Sequence, residues 1–196
     1  MPQLVKGMVI KSRLDFLEHV YGTDALAKVV TLLTGKAKEV LSKPQFIKAS
    51  SWYDFQVQAE VDKAICKAMA GGDEAVYRQM GAFSNQFQAA AAAVDHFESP
   101  WKWFKFHVIA FPRFYSPGRL EVVKLNDGEC FMRFHDMKTT RENCETNIGF
   151  TKKGLEMCGA TDVEVVETKC LAKELTKYCE FHITFKWDPS SKPKLF

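Results

Sequence analysis

Apolar residues recur every three to four positions along the first 115 residues and alternate along much of the remaining chain. Residues 12–21 and 24–34 read as short helices. Gly22 and Gly35 end them, since glycine takes the left-handed C-cap conformation without a Cβ penalty. Residues 36–42 add another turn or two before Pro44. Residues 52–70 predict a helix ending at Gly71-Gly72. Asp73 caps the next, where Met80, Phe83, Phe87, Ala90 and Val94 form one apolar stripe. Residues 89–94 are small, so another helix can approach closely or space is left beside them. Ser99-Pro100 opens a third helix with a capping hydroxyl and a first-turn proline. Pro112 and the turn Ser116-Pro117-Gly118 close it.

The alternating part begins with a strand over 119–125. The hairpin turn Asn126-Asp127-Gly128 comes next, and a return strand spans 129–135. A helix spans about 142–158 and ends at Gly159. Strands follow over 162–168 and 178–187. Helices first and a β-β-α-β-β unit afterwards predict an α+β fold, with helices packed on one face of an antiparallel sheet. The 196 residues read as a single domain, with a helical part over 1–115 and the β-β-α-β-β part over 116–187. A polar, Pro-containing tail, 188–196, is expected to fray.

Composition narrows the partners. Hydrophobic residues at 46% and charged residues at 26% exclude a disordered or low-complexity chain. Lys and Arg outnumber Asp and Glu by only 27 to 24, so no basic footprint for nucleic acid is expected. No apolar run approaches the ~20 residues of a membrane span. The start, Met1 to Lys6, has no signal-peptide core. A cytoplasmic protein is therefore expected, with its six cysteines as thiols or metal ligands.

The last strand places Cys179, Phe181, Ile183, Phe185 and Trp187 on one face. On the preceding strand Glu167 continues the row of Val163 and Val165. A carboxylate on an inward row needs a partner, because burying it alone is costly. Cys170 follows three residues later, and Cys144 opens the preceding helix. If helix and strands pack as one unit, Cys144, Glu167, Cys170 and Cys179 converge on a closed, structural zinc site. Such a site is net negative, and Lys169, Lys173 and Lys177 lie nearby in sequence. The alternative from the residues alone is that these cysteines are small buried hydrophobes. Cys66, Cys130 and Cys158 read as core.

Residues 96–115 are dense in aromatics. Most read as core at helical spacing. The functional reading is an apolar pocket against the sheet, with His96, Trp103 and His107 as candidate ligand contacts. No phosphate loop, H-E-x-x-H or nucleophile elbow occurs, so an enzyme is not expected. The adjacent pair His135-Asp136 points to opposite faces of a strand.

The stretch Cys144 to Trp187, with its helix after a Cys, its E-x-x-C strand end and its C-x-F, closely resembles the C-terminal half of 4-vinyl-reductase-type domains. With KGMVIKSRLDFL near the start and ASSWYDF at 49–55, the whole chain is similar to an uncharacterised bacterial family with many myxobacterial paralogues. The resemblance implies the fold of heme-based nitric oxide sensors and of TRAPP small subunits (the NO-signalling and Golgi-transport ligand-binding fold). It also implies kinship with phenol-responsive activator domains. Those phenol sensors hold zinc with three Cys and one Glu, which fall here on Cys144, Glu167, Cys170 and Cys179. The loop between Cys170 and Cys179 is one residue longer than theirs and lacks their glycine. The heme sensors use a proximal His and Tyr-x-Ser-x-Arg. Here Tyr115 to Arg119 is out of register, so heme is not expected. The resemblance implies a sensory module for a hydrophobic small molecule, acting through a protein partner or a homodimer. The alternative is a ligand-free assembly module like the TRAPP subunits.

Overall fold

The structure is a computed structural model and describes residues 2–91 and 98–190. The chain opens with a short strand, β1 (Leu4–Lys6), and runs directly into α1 (Gly7–Tyr21). The expected start of this helix at residue 12 is therefore late. The first turn is anchored from outside, with Gly7 N donating to Ser51 O at 2.9 Å. No side chain fits there, because a Cβ on Gly7 would sit 2.8 Å from the Tyr53 ring. Helices α2 (Ala25–Leu32) and α3 (Gly35–Leu41) follow as predicted, within two residues.

The segment 52–70 divides in two. Trp52–Asp54 forms β2, and the helix α4 (Phe55–Met69) begins only after it. β2 pairs with β1, Leu4 opposite Asp54, and Asp54 then caps α4 by accepting from Gln56 N at 2.9 Å. Helix α5 (Ala75–Ala91) is capped by Asp73, and α6 (Pro100–Ala110) by Ser99, as the sequence predicts. Tyr115–Ser116 forms β3 on the other side of β1. These three strands make a small sheet, β2-β1-β3, where the sequence predicted helices alone.

The predicted C-terminal unit is present: β4 (Arg119–Asn126), β5 (Glu129–His135), α7 (Arg141–Met157), β6 (Thr161–Lys169) and β7 (Tyr178–Lys186). The strands form an antiparallel sheet in the order β4-β5-β7-β6. Registers Met132 to Phe181 and Phe134 to Cys179 interleave large and small side chains on its inner face. The outer face carries Glu121, Arg133 and Glu180 in ion pairs, and His135 Nε2 lies 2.8 Å from Glu121 Oε2. Two hydrophobic clusters result, one under this sheet and one among α1 to α5, and Tyr115 packs against both. α5 and α7 cross backbone to backbone, where Gly81 faces Thr146 and Phe150 and Gly149 faces Arg78. No helix among the described residues is long and apolar enough to cross a membrane.

Candidate metal centre and the adjoining cavity

Three elements, and the residue that follows one of them, deliver the candidate ligands. Thr140 caps α7 and so fixes Cys144 in its first turn. Glu167 sits on the inner row of β6 opposite Phe181. Cys170 lies just past the end of β6, and Cys179 is on β7. The ligand atoms of all four lie within 4.8 Å of one another. Cys144 Sγ is 3.8 Å from both Cys170 Sγ and Cys179 Sγ. A disulfide needs about 2.05 Å. A tetrahedron with zinc–sulfur bonds of about 2.3 Å has sulfur–sulfur edges of about 3.8 Å. The two edges from Cys144 therefore match those of a zinc tetrahedron, and the remaining separations stay within 4.8 Å.

Two further features fit the same group. Glu167 Oε1 is buried and has no hydrogen-bond partner among the described residues, while its other oxygen pairs with Lys173. Leu171 N donates to Cys179 Sγ at 3.2 Å, and Thr139 Oγ1 lies 3.5 Å from Cys144 Sγ. Such outer contacts orient metal-bound thiolates. The long loop closes without its glycine because Glu174 turns back: its Oε1 accepts from Cys170 N at 2.9 Å. Of the lysines expected to offset the charge, Lys173 reaches Glu167, whereas Lys169 turns to Glu180 and Tyr178 on the outer face.

Without a metal, the hydrogen bond to Cys179 and burial push the Cys144 thiol well up, and the same bond draws Cys179 toward thiolate. Burial, then Glu167, raises Cys170. Burial works against ionised Glu167, but the hydrogen bond from Lys173 and the neighbouring Cys144 and Cys170 thiols outweigh it and hold the carboxyl below its usual range. Cys66, Cys130 and Cys158 are buried away from the cluster. Cys66 is buried among the core residues, and its thiol donates to Asp73 O at 3.6 Å.

Beside the centre is a cavity of about 80 Å³ between α1, α5, α6, α7 and the inner face of the sheet. Trp103, Phe111, Leu120, Met132 and Phe134 line one side of it. Arg13, Ser12 and Ser84 form a polar end. Arg13 and Asp62 are only 2% and 1% exposed. Arg13 Nε donates to Asp62 Oδ1 at 2.8 Å, Nη2 to Oδ2 at 3.3 Å, and Nη1 to Ser84 Oγ at 3.1 Å. Burial works against the Arg13 charge, but Asp62 more than offsets it and raises the group further. The sequence reading missed this pair. Its signal is a charge on an apolar stripe, Arg13 among Val9, Ile10, Phe16 and Leu17, and Asp62 among Val61 and Ile65.

Of the expected pocket residues, Trp103 and His107 line the cavity, their rings 4.0 Å apart. His107 Nδ1 lies 2.8 Å from Trp103 O. Trp103 is buried against Gly154, and its Nε1–H has no partner among the described residues. His96 lies outside the described residues. Cavity and metal centre meet on α7. Asn147, in the cavity wall, donates to Asn143 Oδ1 at 3.2 Å, which also accepts from Thr139 Oγ1 at 3.2 Å. Thr139 in turn touches Cys144 Sγ.

No family model matches the chain, and no curated protein matches it in sequence. Solved structures do. A point mutant of an H-NOX protein from K. algicida, in the unliganded Fe(II) state, superposes with a TM-score of 0.70 at 14% identity, covering 93% of this chain and 97% of that one. An H-NOX protein from S. oneidensis in the Fe(II) ligation state gives 0.69 at 12% identity, covering 97% and 99%. A structure from work on heme distortion in the H-NOX family gives 0.67 at 14%, covering 93% and 95%. At such identities the likeness concerns architecture, and the chain has the H-NOX-like α+β fold.

Proposed function

We propose that the protein is a small-molecule-sensing module. A structural zinc, held by Cys144, Glu167, Cys170 and Cys179, ties the end of β6 and the start of β7 to the first turn of α7. The observation that carries the reading is the meeting of cluster and cavity on α7, through Asn147, Asn143 and Thr139. A molecule that moves α7 at the cavity moves Cys144 with it. The zinc supplies a four-ligand cross-link with no open coordination position, which suits a structural role and not a catalytic one. The resemblance of the Cys144–Trp187 stretch to 4-vinyl-reductase-type domains, and so to zinc-holding phenol sensors, supports the same ligand set. Trp103 and His107 contribute the aromatic wall, and the signal passes to a protein partner or a second copy in the cytoplasm.

Heme is the group that the H-NOX neighbours suggest, and the described residues do not fit it. The cavity is about 80 Å³. An engineered cavity of about 150 Å³ takes one benzene ring, and a porphyrin is several times larger.

The test is elemental analysis of untagged, reduced protein together with thermal unfolding. About one zinc per chain, absent from Cys170→Ser, and a lower Tm after chelation are expected. Metal-free wild-type protein whose Tm is indifferent to chelator and to added zinc overturns the zinc assignment.

A further inference from the structure

The cavity has a chemistry beyond its size. Among the described residues, its one lining group of fixed charge is Arg13, and Asp62 already neutralises it through two hydrogen bonds. The guanidinium has five N–H donors. Four are committed among the described residues, two to Asp62 and one each to Ser12 and Ser84, which leaves one on Nη2. The Ser84 hydroxyl donates to Met80 O at 2.8 Å and so offers Arg13 and its surroundings only lone pairs. Trp103 Nε1–H is also unmatched among the described residues, but it packs against Gly154 of α7, which is outside the cavity lining. A buried donor left unmatched is costly, and a ligand acceptor that meets the Arg13 N–H removes that cost. A carboxylate brings a full charge into a site whose cation is already paired, which is expensive. A hydrocarbon leaves the Arg13 donor unmet.

We infer that the cavity between α1, α5, α6 and α7 takes an uncharged molecule of a few heavy atoms bearing a hydrogen-bond acceptor, of the ketone, amide or ether class, oriented by the Arg13–Asp62 pair. The inference rests on the reading of this cavity as a ligand site and adds the ligand class to it. Arg13 is a specificity residue in this scheme, and Asp62 sets the charge that the ligand is allowed to have.

Three probes of nearly the same shape separate the classes: acetone, acetate and isobutene. Each is titrated into ¹⁵N-labelled wild-type protein at pH 8. The expected result is saturable shifts at Ser84, Met132 and the Trp103 indole N–H with acetone. Acetone should bind about tenfold more tightly than acetate and roughly fivefold more tightly than isobutene. Ala110→Leu, which fills the cavity from α6, should abolish all three sets of shifts while the protein stays folded. Arg13→Met alone strands Asp62 and risks misfolding. The double variant Arg13→Met/Asp62→Leu removes both charges, and it should reverse the preference in favour of isobutene. Isobutene or acetate binding best to wild-type protein overturns the ligand class and leaves the cavity as a binding site. A Soret band from stoichiometric haemin bound at the same residues overturns it as well. No shifts from any probe overturn both the class and the reading of the cavity as a ligand site.

Discussion

Replacing Gly149 by Ala tests the packing that holds cavity and metal centre together. In an isolated helix the change is favourable by about 1 kcal/mol, because Ala loses less backbone freedom than Gly. Here the new Cβ would lie 2.6 Å from the Arg78 carbonyl carbon of α5, and the Arg78 oxygen is closer still. Ordinary contact begins near 3.4 Å, so α5 and α7 must part by roughly 0.8 Å or more. The obstacle is backbone inside a helix and cannot rotate away. Gly81 makes the reciprocal approach, its Cβ position 2.7 Å from Phe150 N. The crossing is thus closed on both sides. Overpacking of this kind costs about 3 kcal/mol at the upper end of its usual range, which leaves a net loss of about 2 kcal/mol. For a chain of this length that lowers Tm by roughly 4–8 °C. Because α7 carries Cys144, the shift also moves one metal ligand against the other three. Zinc affinity should then fall about tenfold, comparable to losing an outer-shell support. Scanning calorimetry of the zinc-loaded protein and competition with a chromogenic chelator measure the two effects. A Tm equal to or above that of wild type would refute the reasoning, since helix propensity would then have outweighed the clash.

Glu180 gives a pH-dependent expectation. Burial works against its charge, but hydrogen bonds from Arg133, Thr168 and Lys169 hold its carboxyl below the usual range. A depressed folded value means stabilisation that is present above the unfolded pKa of about 4.3 and is lost as pH falls through the folded one. Glu180→Gln should therefore cost about 1–2 kcal/mol at pH 7, and the gap from wild type should close below about pH 4 in urea unfolding. A gap that stays constant from pH 7 to 3 contradicts this. For Cys130 and Cys158, burial pushes the thiols up to about 12. At pH 8 only about one in 10⁴ of each is thiolate. Both should resist a disulfide-exchange reagent in native protein and react on unfolding; fast native labelling of either would place it outside the core.

The candidate zinc ligands were legible because each lies on a local pattern. Alternation along β7 turns Cys179 inward, alternation along β6 turns Glu167 inward, and a capped helix starts just before Cys144. Each inference needed only the period of one element, and the meeting of all four followed from packing β6, β7 and α7 as one unit. The sheet β2-β1-β3 had no such handle. Its strands are three, three and two residues long, too short to show a period. Leu4 meets Asp54 and Ser116 only through long-range pairing that the whole fold imposes. The helix boundary at Phe55 was misplaced for the same reason: Trp52 and Tyr53 continue an apolar pattern that suits helix and strand alike.

The polar end of the cavity was hidden differently, because its signal was present and pointed the wrong way. A helical stripe reading assigns charges to the solvent face. Arg13 breaks that rule, falling between Ile10 and Phe16 on the inward side of α1, and Asp62 breaks it on α4. Either charge alone on such a stripe would cost several kcal/mol. Two of opposite sign, on helices that both face the same core, have one inexpensive arrangement, which is contact. The pair is therefore derivable from sequence once both exceptions are held together. The contact also forces a consequence on its surroundings. A bidentate pair cannot be covered wholly by apolar side chains, so Ser12 and Ser84 sit around it and the core stays open beside it. The cavity follows from solvating a buried charge pair with the chain's own hydroxyls, and its polarity is fixed before any ligand arrives.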